Sequence, residues 1–164
     1  MTSVRVADFV SDWLSTELEV SKVFMVTGAG IMHLTDGIAK NPRIEAICLH
    51  HEQSVSMAVE SYSRYTGDIG VAYVSTGPAA TNALTGVAGA WQDSVACLII
   101  SGQVKVAESS SQAGVEGLRQ FGVQELDILP MVNSVTKYSV QVSDPADVLF
   151  ELEKAVYLAR RGRP

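Results

Sequence analysis

Long apolar runs are missing from this 164-residue sequence. The longest, Val95 to Ile100, falls far short of the about 20 residues that a membrane-spanning helix requires. Cysteine is nearly absent: Cys48 and Cys97 both sit in apolar stretches, too few for a disulfide framework, and read as buried free thiols of a reducing compartment. Charge is sparse at 18%, and 12 Lys and Arg against 18 Asp and Glu give a net charge of −6. With no basic run, the chain has little to offer a nucleic-acid phosphate backbone. The first 20 residues carry Asp8, Asp12, Glu17 and Glu19 and no continuous apolar core, which argues against a signal peptide. A soluble cytoplasmic protein, binding neither membrane nor nucleic acid, is expected. What is abundant points the same way: 47% hydrophobic residues, and 13 glycines against 5 prolines, describe a globular chain of one-domain length.

Two periodicities alternate along it. Val6, Phe9, Val10, Trp13, Leu14 and Leu18 recur at helical spacing. Lys22 to Thr27 then reads as a short buried strand, followed by a helix that reaches Ala39. A second strand over Ile44–Leu49 leads to a helix from about Glu52 to Tyr65, stopped by Gly67. A third strand, Gly70–Val74, precedes one helix that opens at Ser75-Thr76-Gly77-Pro78 and runs to Trp91. Val95–Ile100 is a fourth strand, Gly102–Gln124 a long surface loop, and Val135–Val142 a further strand. Asp144-Pro145-Ala146-Asp147 opens a last helix with a buried stripe of Val148, Leu149, Leu152, Val156 and Ala159. Short apolar strands alternating with helices predict an α/β fold of three layers, a mainly parallel sheet with helices on both faces.

Ligands of such sheets bind outside the carboxyl ends of the strands. Three segments leave those ends: Gly28-Ala29-Gly30, His50-His51-Glu52-Gln53, and Ser75 to Asn82. Gly28-Ala29-Gly30 is not a dinucleotide fingerprint, because His33 stands where its third glycine belongs; a tight turn in which glycine supplies positive φ is the plainer reading. Glu52 shares a helix face with Val55, Ser56 and Val59. It is either a first-turn acid on the helix dipole or a partly desolvated carboxyl fit for proton exchange. The run Thr76–Asn82 is either a capped helix start or an anion cradle. Adjacent His50 and His51 point to opposite sides, and His33 has no partner at ligand spacing, so a zinc site held by this chain is not expected.

Several spaced motifs resemble one family. Gly28-Ala29-Gly30-Ile31, His51-Glu52-Gln53, Thr76-Gly77-Pro78-Ala79-Ala80-Thr81-Asn82, Trp91-Gln92-Asp93-Ser94, Ser101-Gly102-Gln103 and Gln124-Glu125-Leu126-Asp127 occur in the order found in the N-terminal pyrimidine-binding domain of thiamine-diphosphate enzymes, acetolactate synthase-like branch. The likeness covers nearly all of residues 1–164. It implies that Glu52 hydrogen-bonds a ring nitrogen of the cofactor's aminopyrimidine and so helps the thiazolium to lose its C2 proton, in an enzyme acting on 2-oxo acids. Thr76, Gly77, Pro78 and Asn82 would line the pyrimidine pocket, and Gly28, Ala29 and Gln124 would lie on the substrate side.

The sequence departs from the family pattern where Ala79 replaces a glycine, where Thr27-Gly28-Ala29 replaces a Pro-Gly-Gly turn, and where Val123 replaces an aromatic residue. These positions bear on the substrate more than on the cofactor. By the same resemblance, Mg²⁺ and the diphosphate belong to a C-terminal diphosphate-binding domain of the same or a partner chain, and FAD, where present, to a further domain. The chain would then be a fragment, inactive alone and prone to form a homodimer or higher oligomer. Two alternatives stay open at this point: a separate subunit of a split thiamine-diphosphate decarboxylase, and a noncatalytic phosphate- or nucleotide-binding module.

Overall fold

The computed structural model describes residues 3–164. Helix α1 (Val6–Thr16) buries Ala7, Val10, Trp13 and Leu14. Strand β1 (Lys22–Met25) leads through a 3-10 turn into α2 (Met32–Lys40), and β2 (Glu45–Cys48) into α3 (Glu52–Thr66). The N-terminus of α3 is capped by His51, whose Nδ1 accepts from the Gln53 N–H, and its C-terminus by Gly67 at φ 78°. Strand β3 (Gly70–Val74) precedes α4 (Pro78–Asn82) and α5 (Leu84–Asp93). Strand β4 (Cys97–Ser101), α6 (Leu129–Val132) and α7 (Val148–Arg160) complete the order.

Among the described residues, four strands form one all-parallel sheet in the order β2-β1-β3-β4. Because side chains alternate across a strand, the sheet carries two cores. Val23, Met25, Val71, Tyr73 and Leu98 join Val10, Trp13, Leu14, Ile38 and Val156 on one face. Ala72 and Val74 join Val55, Val59, Ala80 and Ala83 on the other. The three-layer α/β architecture expected from the sequence is the one observed. Asp144 caps the last helical segment as predicted, its carboxylate accepting from the Ala146 N–H at 2.9 Å.

Four expectations need correction. Residues 135–142 form no strand; Val140 and Val142 are partly exposed. Among the described residues β4 pairs only with β3, and its apolar side chains and the 135–142 segment border a common cavity of about 540 Å³. β-propensity without a ladder partner does not make a strand. The helix expected from Pro78 to Trp91 breaks at Ala83, so Asn82 ends its own short helix. Cys48 is exposed rather than buried, because β2 is an edge strand, while Cys97 is half-buried. Leu149 is likewise exposed; Ala155 packs on the core beside Val148, Leu152 and Ala159.

Helices α1 and α2 touch closely at Gly37, where a Cβ would collide with the Ala7 carbonyl oxygen. Arg5, which also pairs with Asp8 in the first turn of α1, adds an ion pair to Asp36 across the same contact. Gly37→Ala is therefore expected to destabilise the domain by about 1–3 kcal/mol, as overpacking does, read from the urea midpoint at unchanged slope.

Candidate functional site at the strand ends

The parallel sheet delivers its four outgoing segments to one rim, and small residues let them meet. Gly28 follows β1 with extended backbone (φ −175°), so positive φ is not what requires glycine there. Space is: a Cβ at Gly28 would lie 2.5 Å from Ser75 Oγ. The same hydroxyl accepts from the Gly30 N–H at 3.2 Å. A Cβ at Gly102, just after β4, would strike the Gly30 carbonyl oxygen. The segments after β1 and β4 thus meet backbone to backbone, and the segment after β3 meets that after β1 through the Ser75 side chain.

Glu52 enters from β2 as the first residue of α3 and is half-buried. Its Oε2 accepts from Asn82 Nδ2 at 3.0 Å. Beside it, Gln53 Nε2 donates to Thr85 Oγ1 at 3.2 Å, and the close contact of Gly86 with Ser56 holds α5 against α3. The start of α3 is tied to α4 and α5 together.

Thr76 is buried, and its hydroxyl donates to Gln103 Oε1 at 2.9 Å. Gln103 Oε1 also accepts from the Val104 N–H, and its Nε2 donates to the Leu126 carbonyl at 3.0 Å. Gly77 needs its left-handed conformation (φ 57°) to start α4, and a Cβ there would strike the Gln124 carbonyl oxygen. Gln124 is itself left-handed (φ 61°), inside a turn closed by the Glu125 N–H on the Gly122 carbonyl at 3.2 Å. For a non-glycine residue that conformation costs about 1–3 kcal/mol and marks a position held by its surroundings. Glu125 does much of the holding. Its Oε1 accepts from the Ser110 N–H and hydroxyl, and its Oε2 from the N–H groups of Phe121 and Gly122, all at 2.7–3.0 Å. The backbone bonds from Ser110 and Phe121 lead in lowering its pKa, from the usual 4.5 to about 2.

Of the residues singled out in the sequence, Glu52 and Asn82 meet directly, and Thr76, Gly77 and Gln124 meet through Gln103 and the loop. Pro78 and Ala29 are exposed on the rim. Ser75 and Gln103 join the site as well, each just beyond a strand end and tied into it by its side chain. Among the described residues, no three His, Cys, Asp or Glu side chains gather into a group that could hold a metal ion. None of the described helices is long and apolar enough to cross a membrane.

Fold and site together define a parallel α/β ligand-binding domain whose rim holds a carboxylate oriented by a side-chain amide. The chain belongs to the family described as thiamine pyrophosphate enzyme, N-terminal TPP binding domain, whose model matches residues 4–131. It is 36% identical over 148 residues to the acetolactate synthase large subunit of Lactococcus lactis, covering 90% of this chain and 24% of that protein. Identity is 38% over 145 residues to the acetolactate synthase large subunit of Haemophilus influenzae, covering 88% and 24%. The mitochondrial acetolactate synthase of Schizosaccharomyces pombe is 36% identical over 145 residues, 88% of this chain and 20% of that protein. The chain thus spans a fifth to a quarter of the length of these curated relatives. None of this favours the phosphate-module alternative, and α4, at five residues, is too short to build an anion site by its dipole alone.

Two outcomes follow from this geometry. Gly77→Ala combines strained φ with a collision and should cost about 1–3 kcal/mol, checked by thermal unfolding. Because folding lowers the Glu125 pKa, its ionised form favours the folded loop. That contribution is complete above about pH 4.5 and disappears as pH falls towards 2. Protection of the Ser110, Phe121 and Gly122 amides, taken relative to their intrinsic exchange rates at each pH, should fall over that window, and Glu125→Gln should abolish the dependence.

Proposed function

We propose that residues 1–164 form the aminopyrimidine-binding domain of a thiamine-diphosphate-dependent, acetolactate synthase-like enzyme, with Glu52 as its proton-exchanging carboxyl. The observation that carries this reading is the Asn82–Glu52 hydrogen bond at the rim. Among the described residues no Lys or Arg forms an ion pair with Glu52; its observed partner is a neutral amide. A cationic partner would fix the side chain as a carboxylate, whereas an amide orients it and leaves proton exchange open. That donor set fits a neutral nitrogen heterocycle. When bound, the cofactor supplies the thiazolium carbon that attacks 2-oxo acids.

Asn82 engages Oε2, so Oε1 is the oxygen at which Glu52 gives and takes its proton. Thr76, Gly77 and Pro78 would shape the wall beside it, and Gly28, Ala29 and Gln124 the substrate side. Thr76 acts through its bond to Gln103, its hydroxyl being already committed. In this reading Mg²⁺ and the diphosphate belong to the diphosphate-binding domain of the same or a partner chain, and FAD, where the enzyme carries it, to a further domain. The assembled enzyme would be a cytoplasmic homodimer or higher oligomer with carboligase (transferase or lyase) activity.

The test is C2 proton exchange of thiamine diphosphate, followed by NMR in the enzyme assembled with its diphosphate-binding domain. Glu52→Gln should slow exchange by about 10²–10⁴-fold, the usual range for general acid–base catalysis, with unchanged circular dichroism. Undiminished exchange would remove Glu52 from the role. Calorimetry on the isolated chain should show negligible heat with inorganic phosphate or a nucleotide; binding of either would instead support the simpler module.

A further inference from the structure

In the loop between β4 and α6, one carboxylate gathers four donors. Glu125 joins residues far apart in that loop, Ser110 on one oxygen and Phe121 with Gly122 on the other. The residue immediately before it, Gln124, is the one forced into left-handed backbone, and its carbonyl lies against Gly77 at the start of α4. Gly122 is packed too: a Cβ there would strike Val104 and the Glu108 carbonyl, so the turn cannot slide along the loop. A carboxylate with four converging donors is rigid in a way that a single side-chain contact is not.

We infer that Glu125 is a positioning residue: by gathering both arms of this loop it fixes Gln124 in its left-handed turn over Gly77, and so sets the substrate side of the rim without touching the substrate. The inference rests on the proposed thiamine-diphosphate reading for what the rim binds. It separates the two halves of the site. Glu52 is held through Asn82 and α3, whereas Gln124 is held through Glu125 and the loop. Damage to the second should leave proton exchange at the first intact.

The experiment uses the assembled enzyme with pyruvate as the 2-oxo acid. Glu125→Gln turns an amide NH₂ towards backbone N–H donors, opposing donor to donor. Its KM for pyruvate should rise about tenfold, with kcat and C2 proton exchange changed by less than about threefold. Glu125→Asp, which keeps the charge, should recover most of the loss. Ser110→Ala removes one of the four bonds and should move KM the same way by less. Amide exchange in the same Glu125→Gln protein should quicken at Phe121, Gly122 and Gln124. An unchanged KM with a loosened loop overturns the inference and leaves Glu125 a structural residue. So does a loss of C2 exchange equal to the change in KM, because the loop would then serve the cofactor half. A wild-type enzyme with no thiamine-diphosphate-dependent turnover overturns the proposed function, and this inference with it.

Discussion

Everything at the rim depends on how closely the chain can approach itself where the parallel strands end. The register of β1 with β2 and β3, and of β3 with β4, brings those ends level. Side chains would then push the outgoing segments apart. Gly28 against Ser75, Gly102 against Gly30 and Gly77 against Gln124 remove that obstacle at three successive contacts. The outcome is a closely packed floor, on which a few polar side chains are placed to within a hydrogen bond. The Asn82–Glu52 pair is one such placement, and the Thr76–Gln103 pair another.

Much of the fold was legible because it rests on periodicity. The alternation of short apolar runs with amphipathic helices fixed the layers, and Asp144 and Gly67 bound their helices, one at the start and one at the end, through local chemistry that sequence displays directly. Errors arose wherever a neighbour decides. Val135–Val142 has the composition of a strand but no ladder beside it, and Cys48 lies in an apolar run that happens to be an edge. Ala83 interrupts a helix whose residues would tolerate continuation. Strand order was not legible at all, since it is set by which helix covers which face rather than by any single segment.

The candidate site divides along the same line. Glu52, Gly28 and the Thr76–Asn82 run stand out in the sequence because each lies just beyond a strand, the side of a parallel sheet where ligands bind. Glycine at position 28 suggests a turn needing positive φ, but what requires it is room beside Ser75. Gln103 and Glu125 are different in kind. Their work is to bring together residues distant in sequence, Thr76 with Leu126 in one case and Ser110 with Phe121 in the other, and nothing local to either announces it.

The two thiols, finally, are unequal in a useful direction. Burial pushes the Cys97 thiol up to about 11, against a hydroxyl contact from Ser63 that lowers it, so at neutral pH it stays protonated and shielded. Cys48 lies open at the end of β2, on the strand that leads into His51 and Glu52. A maleimide fluorophore would therefore attach selectively beside the rim. The native sequence thus carries its own labelling handle for watching a ligand or a partner domain arrive.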